Sequence, residues 1–143
     1  MVLKYMKGSL RILLYFLLGI CFSCEEKGWI ADCSECVANE PREGYLSIML
    51  TGYEMPVKVR VYQGEIEDSV LYAFTEISGK KYTPGITLNK KYTVTATYNI
   101  GGSKYIAIDS ATPKVRYIED QCDEPCYFIY DRVIDLRLKY TAD

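Results

Sequence analysis

The stretch from Tyr92 to Tyr98 constrains the fold of this chain more than any other part of it. Apolar residues stand at its even positions, and threonine stands at each of its odd positions. A period of two is typical of a strand that has one buried face and one face in water. The same alternation occurs at 46–50 and 57–61, and no segment shows a helical period of useful length. The sequence therefore predicts an all-β protein.

Short segments of this kind recur at regular spacing and are separated by turns that contain glycine or proline. They cover residues 46–50, 57–61, 69–77, 82–88, 92–98, 103–109 and 132–140. Pro84 lies inside one of them and cannot donate to a strand ladder, so we expect that segment at a sheet edge. About seven short strands favour a single β-sandwich over residues 45–143.

The segment Leu88-Asn89-Lys90-Lys91-Tyr92-Thr93-Val94-Thr95-Ala96 resembles the tyrosine corner of fibronectin-III and other immunoglobulin-like domains. In those domains a tyrosine near the start of a central strand bonds back to upstream backbone. The resemblance implies an immunoglobulin-like sandwich in which Tyr92 is the corner tyrosine. Residues 112–130 are extra to a minimal sandwich, and we expect them to form a long hairpin or flap folded back on the N-terminal segment.

Residues 1–23 have the composition of a secretory signal peptide. Basic residues precede an apolar run at 12–22, which is shorter than the roughly 20 residues of a membrane-spanning helix. A short anchor helix or a buried core helix is the alternative. Ser23-Cys24 resembles the lipobox of bacterial lipoproteins, although Cys21 stands where leucine is usual. This resemblance implies that Cys24 carries lipid, and several acyl chains there would hold the protein stably at a membrane.

The acidic pair Glu25-Glu26 follows Cys24 directly and resembles the signal that sends lipoproteins of the Bacteroidota to the cell surface. The resemblance implies an outer-membrane protein, anchored by lipid and facing the cell exterior. Without the three basic residues of the leader, the mature chain has 14 basic and 19 acidic residues, a net charge of −5. A weakly acidic chain with no basic cluster argues against nucleic acid as a partner.

Four cysteines remain for the mature chain, one pair in the lipidated linker 24–44 and one pair late in the sequence. They are Cys33, Cys36, Cys122 and Cys126. An exported protein favours disulfides, and three connectivities are possible. Bridges between the pairs would close loops of roughly 90 residues, near ~4.6 kcal/mol of lost chain entropy, whereas bridges within a pair constrain little. We therefore expect bridges that tie the linker to the late loop.

A zinc site with four thiolate ligands is the alternative for these cysteines, because paired cysteines two or three residues apart are its usual ligands. The neighbouring acids disfavour it, since they would add negative charge beside four thiolates. They are Asp32, Glu35, Asp123 and Glu124. A redox-active Cys33/Cys36 pair is a third reading, disfavoured because acidic neighbours raise a thiol pKa.

Histidine is absent from the chain, whereas tyrosine occurs 14 times, 12 of them after Cys24. The absence of histidine removes the commonest general base and metal ligand, so we do not expect an enzyme. Exposed tyrosine rings can stack on sugar rings or anchor a protein partner, and cross-strand packing on a wet sheet face is the alternative. The candidate ligand contacts are Tyr45, Tyr62, Tyr105, Tyr127 and Tyr130.

Two acidic loops, at 65–68 and 119–124, could bind calcium or hydrolyse a glycoside, but neither has the ligand spacing of an EF-hand loop. Solvated loops account for them. The sequence thus predicts a surface lipoprotein that is a non-catalytic binding or accessory module for a glycan or an envelope protein. The alternatives are a structural or adhesin-like envelope subunit and a zinc-stabilised interaction domain. No cofactor is expected beyond the covalent lipid.

Overall fold

The computed structural model describes residues 30–52 and 55–139. The predicted leader, Cys24 and the Glu25-Glu26 pair lie outside the described residues. In the described part of the chain, no helix is long and apolar enough to span a membrane. Two single 3-10 turns occur there, at Cys33–Glu35 and Ile66–Asp68. All other regular structure in these ranges is strand, so the prediction of an all-β protein is confirmed.

Eleven strands run through the described residues. They are β1 Glu43–Tyr45, β2 Ser47–Met49, β3 Val57–Gln63, β4 Leu71–Ile77, β5 Lys81–Tyr82, β6 Gly85–Thr87, β7 Tyr92–Ile100, β8 Ser103–Ala111, β9 Lys114–Ile118, β10 Cys126–Tyr130 and β11 Val133–Asp135. One layer is a four-stranded antiparallel sheet of order β4-β3-β7-β8. The other layer contains β11-β2-β5, continued by the pair β1-β6. β11 is parallel to β2, and β5 is antiparallel to it.

The pairs β1-β6 and β2-β5 are one long strand pair with an interruption. Gly44 lies opposite Ile86 and Ile48 lies opposite Tyr82, so both halves keep the same register. The interruption falls at Pro84, which has no N–H but still accepts a hydrogen bond from the backbone N of Leu46 at 3.1 Å. When β1 and β2 are counted as one strand and β5 and β6 as another, the described sandwich has seven strands. Pro84 lies in the strand at the sheet edge, as its position in the sequence predicted.

The core lies between the two layers and takes residues from both. β3 and β7 contribute the side chains that the period-two pattern placed inside, among them Val59, Val94 and Tyr98, all at most 1% exposed. The opposite layer contributes Ile48 and Ile134, both fully buried. Because alternate residues of a strand face opposite sides, the threonines of β7 lie on the outer face of the four-stranded sheet. They are only 5–7% exposed, so the prediction that this face of β7 lies in water is wrong.

Tyr92 makes the hydrogen bonds that the tyrosine-corner resemblance implied. Its hydroxyl donates to the backbone O of Thr87 and accepts from the backbone N of the same residue, both at 3.1 Å. The ring is fully buried, and this burial raises the pKa of the Tyr92 phenol. A second tyrosine, Tyr98, donates to the backbone O of Leu136 at 2.8 Å and accepts from Thr51 N at 3.2 Å. The two hydroxyls join β7 to neighbouring segments at separate points of the sandwich.

Strands β9 and β10 form the extra hairpin outside the sandwich, and it folds back on the N-terminal segment. Val37 and Tyr127 exchange two backbone hydrogen bonds, of 3.0 and 2.8 Å. A small second core lies there, built on Ala31, Ile118, Cys126 and Phe128. On its other side the hairpin packs Val115 and Ile129 against the main core. The predicted flap is therefore confirmed.

Candidate functional site

Two disulfides connect the N-terminal segment to the hairpin: Cys33–Cys122 and Cys36–Cys126. They span 89 and 90 positions of sequence, with Cα–Cα distances of 5.7 and 5.5 Å. We call this pair of bridges the clasp. The Sγ atoms of Cys36 and Cys122, which belong to different bridges, are 4.0 Å apart, so the two bridges lie side by side. The expected pairing between the two clusters is confirmed, and the structure selects one of its two connectivities.

The zinc alternative concerns the same sulfur atoms. The Sγ atoms of Cys36, Cys122 and Cys126 all lie within 4.8 Å of one another, which is close enough for a shared ion. Zinc binds the thiolate form of cysteine, and here these sulfurs are joined in disulfides. The geometry thus offers a metal site only to the reduced protein. Cys33 and Cys36 are bonded to different partners, so they do not form the redox pair considered from sequence.

A cleft of about 580 Å³ opens beside the clasp, where the N-terminal segment, the end of β10, the start of β11 and the edge of β8 meet. We call it the clasp cleft. Its lining combines charged and apolar side chains from segments roughly 100 positions apart in sequence. The lining residues are Ile30, Glu35, Asp109, Ser110, Phe128, Ile129, Tyr130, Asp131, Arg132, Val133 and Asp135.

An ion pair between Arg132 and Glu35 lines the clasp cleft and joins the β10–β11 connection to the N-terminal segment. Arg132 donates through Nη2 to Oε2 of Glu35. A guanidinium has five N–H donors in a plane, so this contact leaves further donors that could face a ligand. The pair therefore provides both donors and acceptors at one wall of the cleft.

Backbone N–H groups hold two of the cleft carboxylates in place. Asp109 accepts from Ser110 N through Oδ1 at 2.8 Å and from Asp135 N through Oδ2 at 3.1 Å. Asp131 accepts from Thr112 N through Oδ2 at 3.0 Å, and it has a positive φ of 53°. Both carboxylates join one strand end to another. They fix the shape of the cleft, and their remaining lone pairs can accept from hydroxyl groups.

Asp135 is the fourth carboxylate among the residues that line the clasp cleft, after Glu35, Asp109 and Asp131. Arg137 donates to it through Nε at 2.8 Å and through Nη2 at 2.7 Å, a bidentate arrangement. These hydrogen bonds lower the pKa of Asp135 to about 2, so the carboxylate is charged at neutral pH. The same contact raises the pKa of Arg137. The cleft thus presents fixed negative charge beside the Arg132–Glu35 pair.

A smaller cleft of about 260 Å³ lies between β1, β6 and β4. Tyr45 lines it and is exposed, and Tyr72 donates its hydroxyl to Gly85 O at 3.0 Å. The Tyr72 ring meets the buried Tyr92 edge-on, with ring centroids 5.4 Å apart. Tyr72 therefore covers the corner tyrosine.

The structure does not bring the five candidate tyrosines together. Tyr130 lines the clasp cleft, Tyr45 lines the smaller cleft, and Tyr62 shares the outer face of the four-stranded sheet with the threonines of β7. Tyr127 contacts Tyr117 across the hairpin, with ring centroids 5.0 Å apart. Tyr105 lies opposite Tyr98 and packs against the main core. Of the five, Tyr45 and Tyr130 line the two clefts described above.

Sequence reasoning missed the outer face of the four-stranded sheet. β4 exposes Leu71 and Phe74 there, and β8 exposes Ile106 and Ile108. The Arg60 guanidinium lies 5.2 Å from the centre of the Phe74 ring, in cation–π geometry. The sequence did contain a signal for this face: both β4 and β8 have apolar residues at odd and even positions, which indicates apolar side chains on both faces of each strand.

Comparison with known proteins gives no assignment. No family model matches this chain, and no significant similarity to a curated protein or to a solved structure was found.

Proposed function

We propose that this protein is a lipid-anchored, surface-exposed binding module without catalytic activity, and that its clasp cleft takes a glycan. The observation that carries the proposal is the combination in one cleft of Tyr130, which is partly buried against the second core, with the Arg132–Glu35 pair and Asp131. Sugars present apolar ring faces together with many hydroxyl groups. An aromatic face covers the former, while carboxylates and a guanidinium bind the latter.

Preorganisation supports a binding role for this cleft. The clasp joins two of the segments that line it, and backbone N–H groups fix Asp109 and Asp131. A site that is rigid before binding loses less conformational entropy when a ligand arrives, which favours affinity. The volume of about 580 Å³ is within the usual range for small-ligand sites.

Affinity electrophoresis through gels that contain bacterial and host polysaccharides tests the glycan proposal. A binding polysaccharide should retard the protein, and Tyr130→Ala should weaken binding about tenfold, which corresponds to ~1.4 kcal/mol. Tyr117→Ala is the matched control, because Tyr117 lies on the same hairpin outside the cleft. Equal losses in both variants, or no retardation by any polysaccharide, would contradict the proposal.

The lipid anchor on Cys24 is proposed from the sequence signal alone. The intact mass of the membrane-extracted protein should correspond to a chain that begins at acylated Cys24. A Cys24→Ala protein should remain in the aqueous phase during detergent partition, and protease added to whole cells should remove the wild-type protein from the surface. A membrane-bound chain that retains residues 1–23 would contradict this assignment.

An adhesin-like or structural envelope subunit is the second candidate, and the exposed apolar face of the four-stranded sheet favours it. Leu71, Phe74, Ile106 and Ile108 are each more than half exposed there, which is a feature of protein-binding surfaces. Such a subunit should co-purify with envelope proteins after cross-linking of whole cells and should ignore polysaccharides. Thiol titration of the denatured protein with a metal assay distinguishes the remaining alternative, a zinc-stabilised domain, because only that domain would yield reduced thiols and zinc, whereas the disulfides of the clasp yield neither.

A further inference from the structure

The sandwich has four open sheet edges within residues 30–52 and 55–139, and three of them are protected against pairing with another chain. β4 is irregular, because its register with β3 shifts between Val61 and Tyr62. The β5/β6 edge contains Pro84, and the Tyr72 hydroxyl occupies the carbonyl of Gly85. β11 is three residues long. Bulges, proline, covering side chains and short strands are the usual protections of an edge.

The fourth edge, the open side of β8, lacks these features from Ser103 to Ile108. β8 is nine residues long, contains no proline, and pairs with β7 in one unbroken register from Ser103 to Ala111. On its outer face Ile106 and Ile108 are 54% and 58% exposed. A long, regular and apolar edge is a template for an added strand.

The turn before β8 determines which of its backbone groups face the open side. Gly101 and Gly102 both have positive φ, 56° and 81°, as a two-residue type I′ hairpin turn requires. Ser103 is therefore hydrogen-bonded to Ile100, and every second residue after it bonds to β7. The residues between them direct N–H and C=O outward.

Only part of this open side is available. The N–H of Ser110 donates to the Asp109 side chain at 2.8 Å, which closes that end. The outward residues that remain are Lys104, Ile106 and Ile108, and no backbone hydrogen bond from another described segment reaches them.

We propose that β8 of a second copy pairs antiparallel with this edge, about a two-fold axis at Ile106. Only this register uses all three outward residues of both copies, because Lys104 then lies opposite Ile108 and Ile106 lies opposite itself. Each of these pairs exchanges two backbone hydrogen bonds, and the two four-stranded sheets become one continuous sheet.

The side chains also suit a second copy. The isoleucines at 106 meet at the axis, and the aliphatic stem of Lys104 lies across Ile108 of the other copy while its ammonium group stays in water. No like charges face each other in this register, and two-fold dimers are the commonest protein assemblies. The proposal does not rest on the ligand of the clasp cleft, although two residues of that cleft, Asp109 and Ser110, lie opposite Ser103 and Gly102 of the other copy in this register.

Sedimentation velocity of the full chain in density-matched detergent, over a range of protein concentrations, tests the pairing. The wild type should show a monomer–dimer equilibrium, and Ile106→Lys should raise the dimer Kd at least about tenfold, because it places two ammonium groups opposite each other. Phe74→Lys is the matched control: Phe74 lies on the same sheet face, is 52% exposed and belongs to the β4 edge. Its Kd should stay within about twofold of the wild-type value.

A charge-swap experiment tests the register itself. Ile106→Lys mixed with Ile106→Glu should form a heterodimer about as stable as the wild-type dimer, because residue 106 then faces an opposite charge. Circular dichroism shows whether each variant is folded. The proposal would be overturned if the wild-type protein stays monomeric at every concentration. It would also be overturned if the wild-type protein binds a different envelope protein and never a second copy of itself. An unchanged Kd in folded Ile106→Lys, an equal loss in Phe74→Lys, or no heterodimer in the mixture would overturn it as well.

Discussion

The hydroxyl of Tyr92 illustrates how much a single buried polar atom contributes to this fold. It is both donor and acceptor to Thr87, so Tyr92→Phe removes two part-buried hydrogen bonds and leaves the backbone N–H and C=O of Thr87 without this partner. We expect the free energy of unfolding to fall by about 1–3 kcal/mol in urea denaturation. Tyr62→Phe is the control, because Tyr62 is half-buried on the outer face of the sheet and should lose at most about 0.5 kcal/mol.

Asp135 should make part of the stability dependent on pH. Its folded pKa is about 2, below the ordinary 3.8, so the contribution is complete above pH ~4 and disappears as the pH falls through this range to 2. Because the Asp135 and Arg137 side chains are 35% and 56% exposed, we expect the loss to be under about 1 kcal/mol. The stability difference between wild type and Asp135→Asn should therefore shrink from pH 5 to pH 2.

Arg137→Met provides a check on the cause, because Arg137 supplies the hydrogen bonds that lower the pKa of Asp135. This variant should lose the same acid-dependent part of the stability. If the difference in free energy of unfolding between wild type and either variant stays constant over this pH range, the Asp135–Arg137 pair does not control the pH dependence of stability.

Residue roles with a local signature were predictable from the sequence. Tyr92 bonds to a residue five positions upstream, so the whole corner lies within one short segment. Tyr105 carries no such signature: a tyrosine in an alternating strand can face the core or water, and Tyr105 faces the core because it lies opposite Tyr98. The pairing of β7 with β8 therefore determines on which face of the sheet the Tyr105 side chain lies.

At the scale of elements, the clasp and the hairpin act together, and removal of the two bridges should not cost equal amounts. With Cys36–Cys126 intact, Cys33–Cys122 closes only a loop of several residues. We expect the double change Cys33→Ala and Cys122→Ala to cost roughly 2–3 kcal/mol in urea denaturation, because little chain entropy depends on the second bridge. Loss of the remaining bridge should cost about 4–5 kcal/mol more, since it opens a loop of 90 positions.

The converse variant, with Cys36→Ala and Cys126→Ala, is the natural control for this pair of measurements. Cys126 is 7% exposed, so its removal also deletes contacts in the second core, and the cost should be somewhat larger than for Cys33–Cys122. If removal of the first and of the second bridge lowers the free energy of unfolding by equal amounts, in whichever order they are removed, then the closed loop does not depend on which bridge is already present, and this prediction is wrong.

Strands of the sandwich could be located from their period, whereas the way they join could not. Pro84 indicated an edge, but the single register that continues across it depends on the pairing of 43–49 with 81–87. The hairpin β9–β10 was harder to recognise. Its strands have apolar residues on both faces, because Ile129 packs on the main core while Phe128 packs on the second one.

At the scale of the whole molecule, the clasp cleft could not have been predicted. It joins Glu35, Asp109 and Arg132, which come together only through the specific connectivity of the clasp and the return of β11 beside β2. Neither follows from cysteine counting or strand period. The cysteine pairs did indicate that the two ends of the domain would meet, and that much of the site was accessible from the sequence.

The clasp also determines how the molecule bears mechanical load. If the N-terminal segment is pulled against the C-terminal one, tension enters at Cys33 and passes through the S–S bond directly to Cys122, 89 positions further along the chain. The strands from β1 to β9 lie between these two cysteines, so they are outside the path of the force. Only β10, β11 and the segments after them would stretch. A single-molecule pulling trace should accordingly show a short extension before reduction and a long one after it.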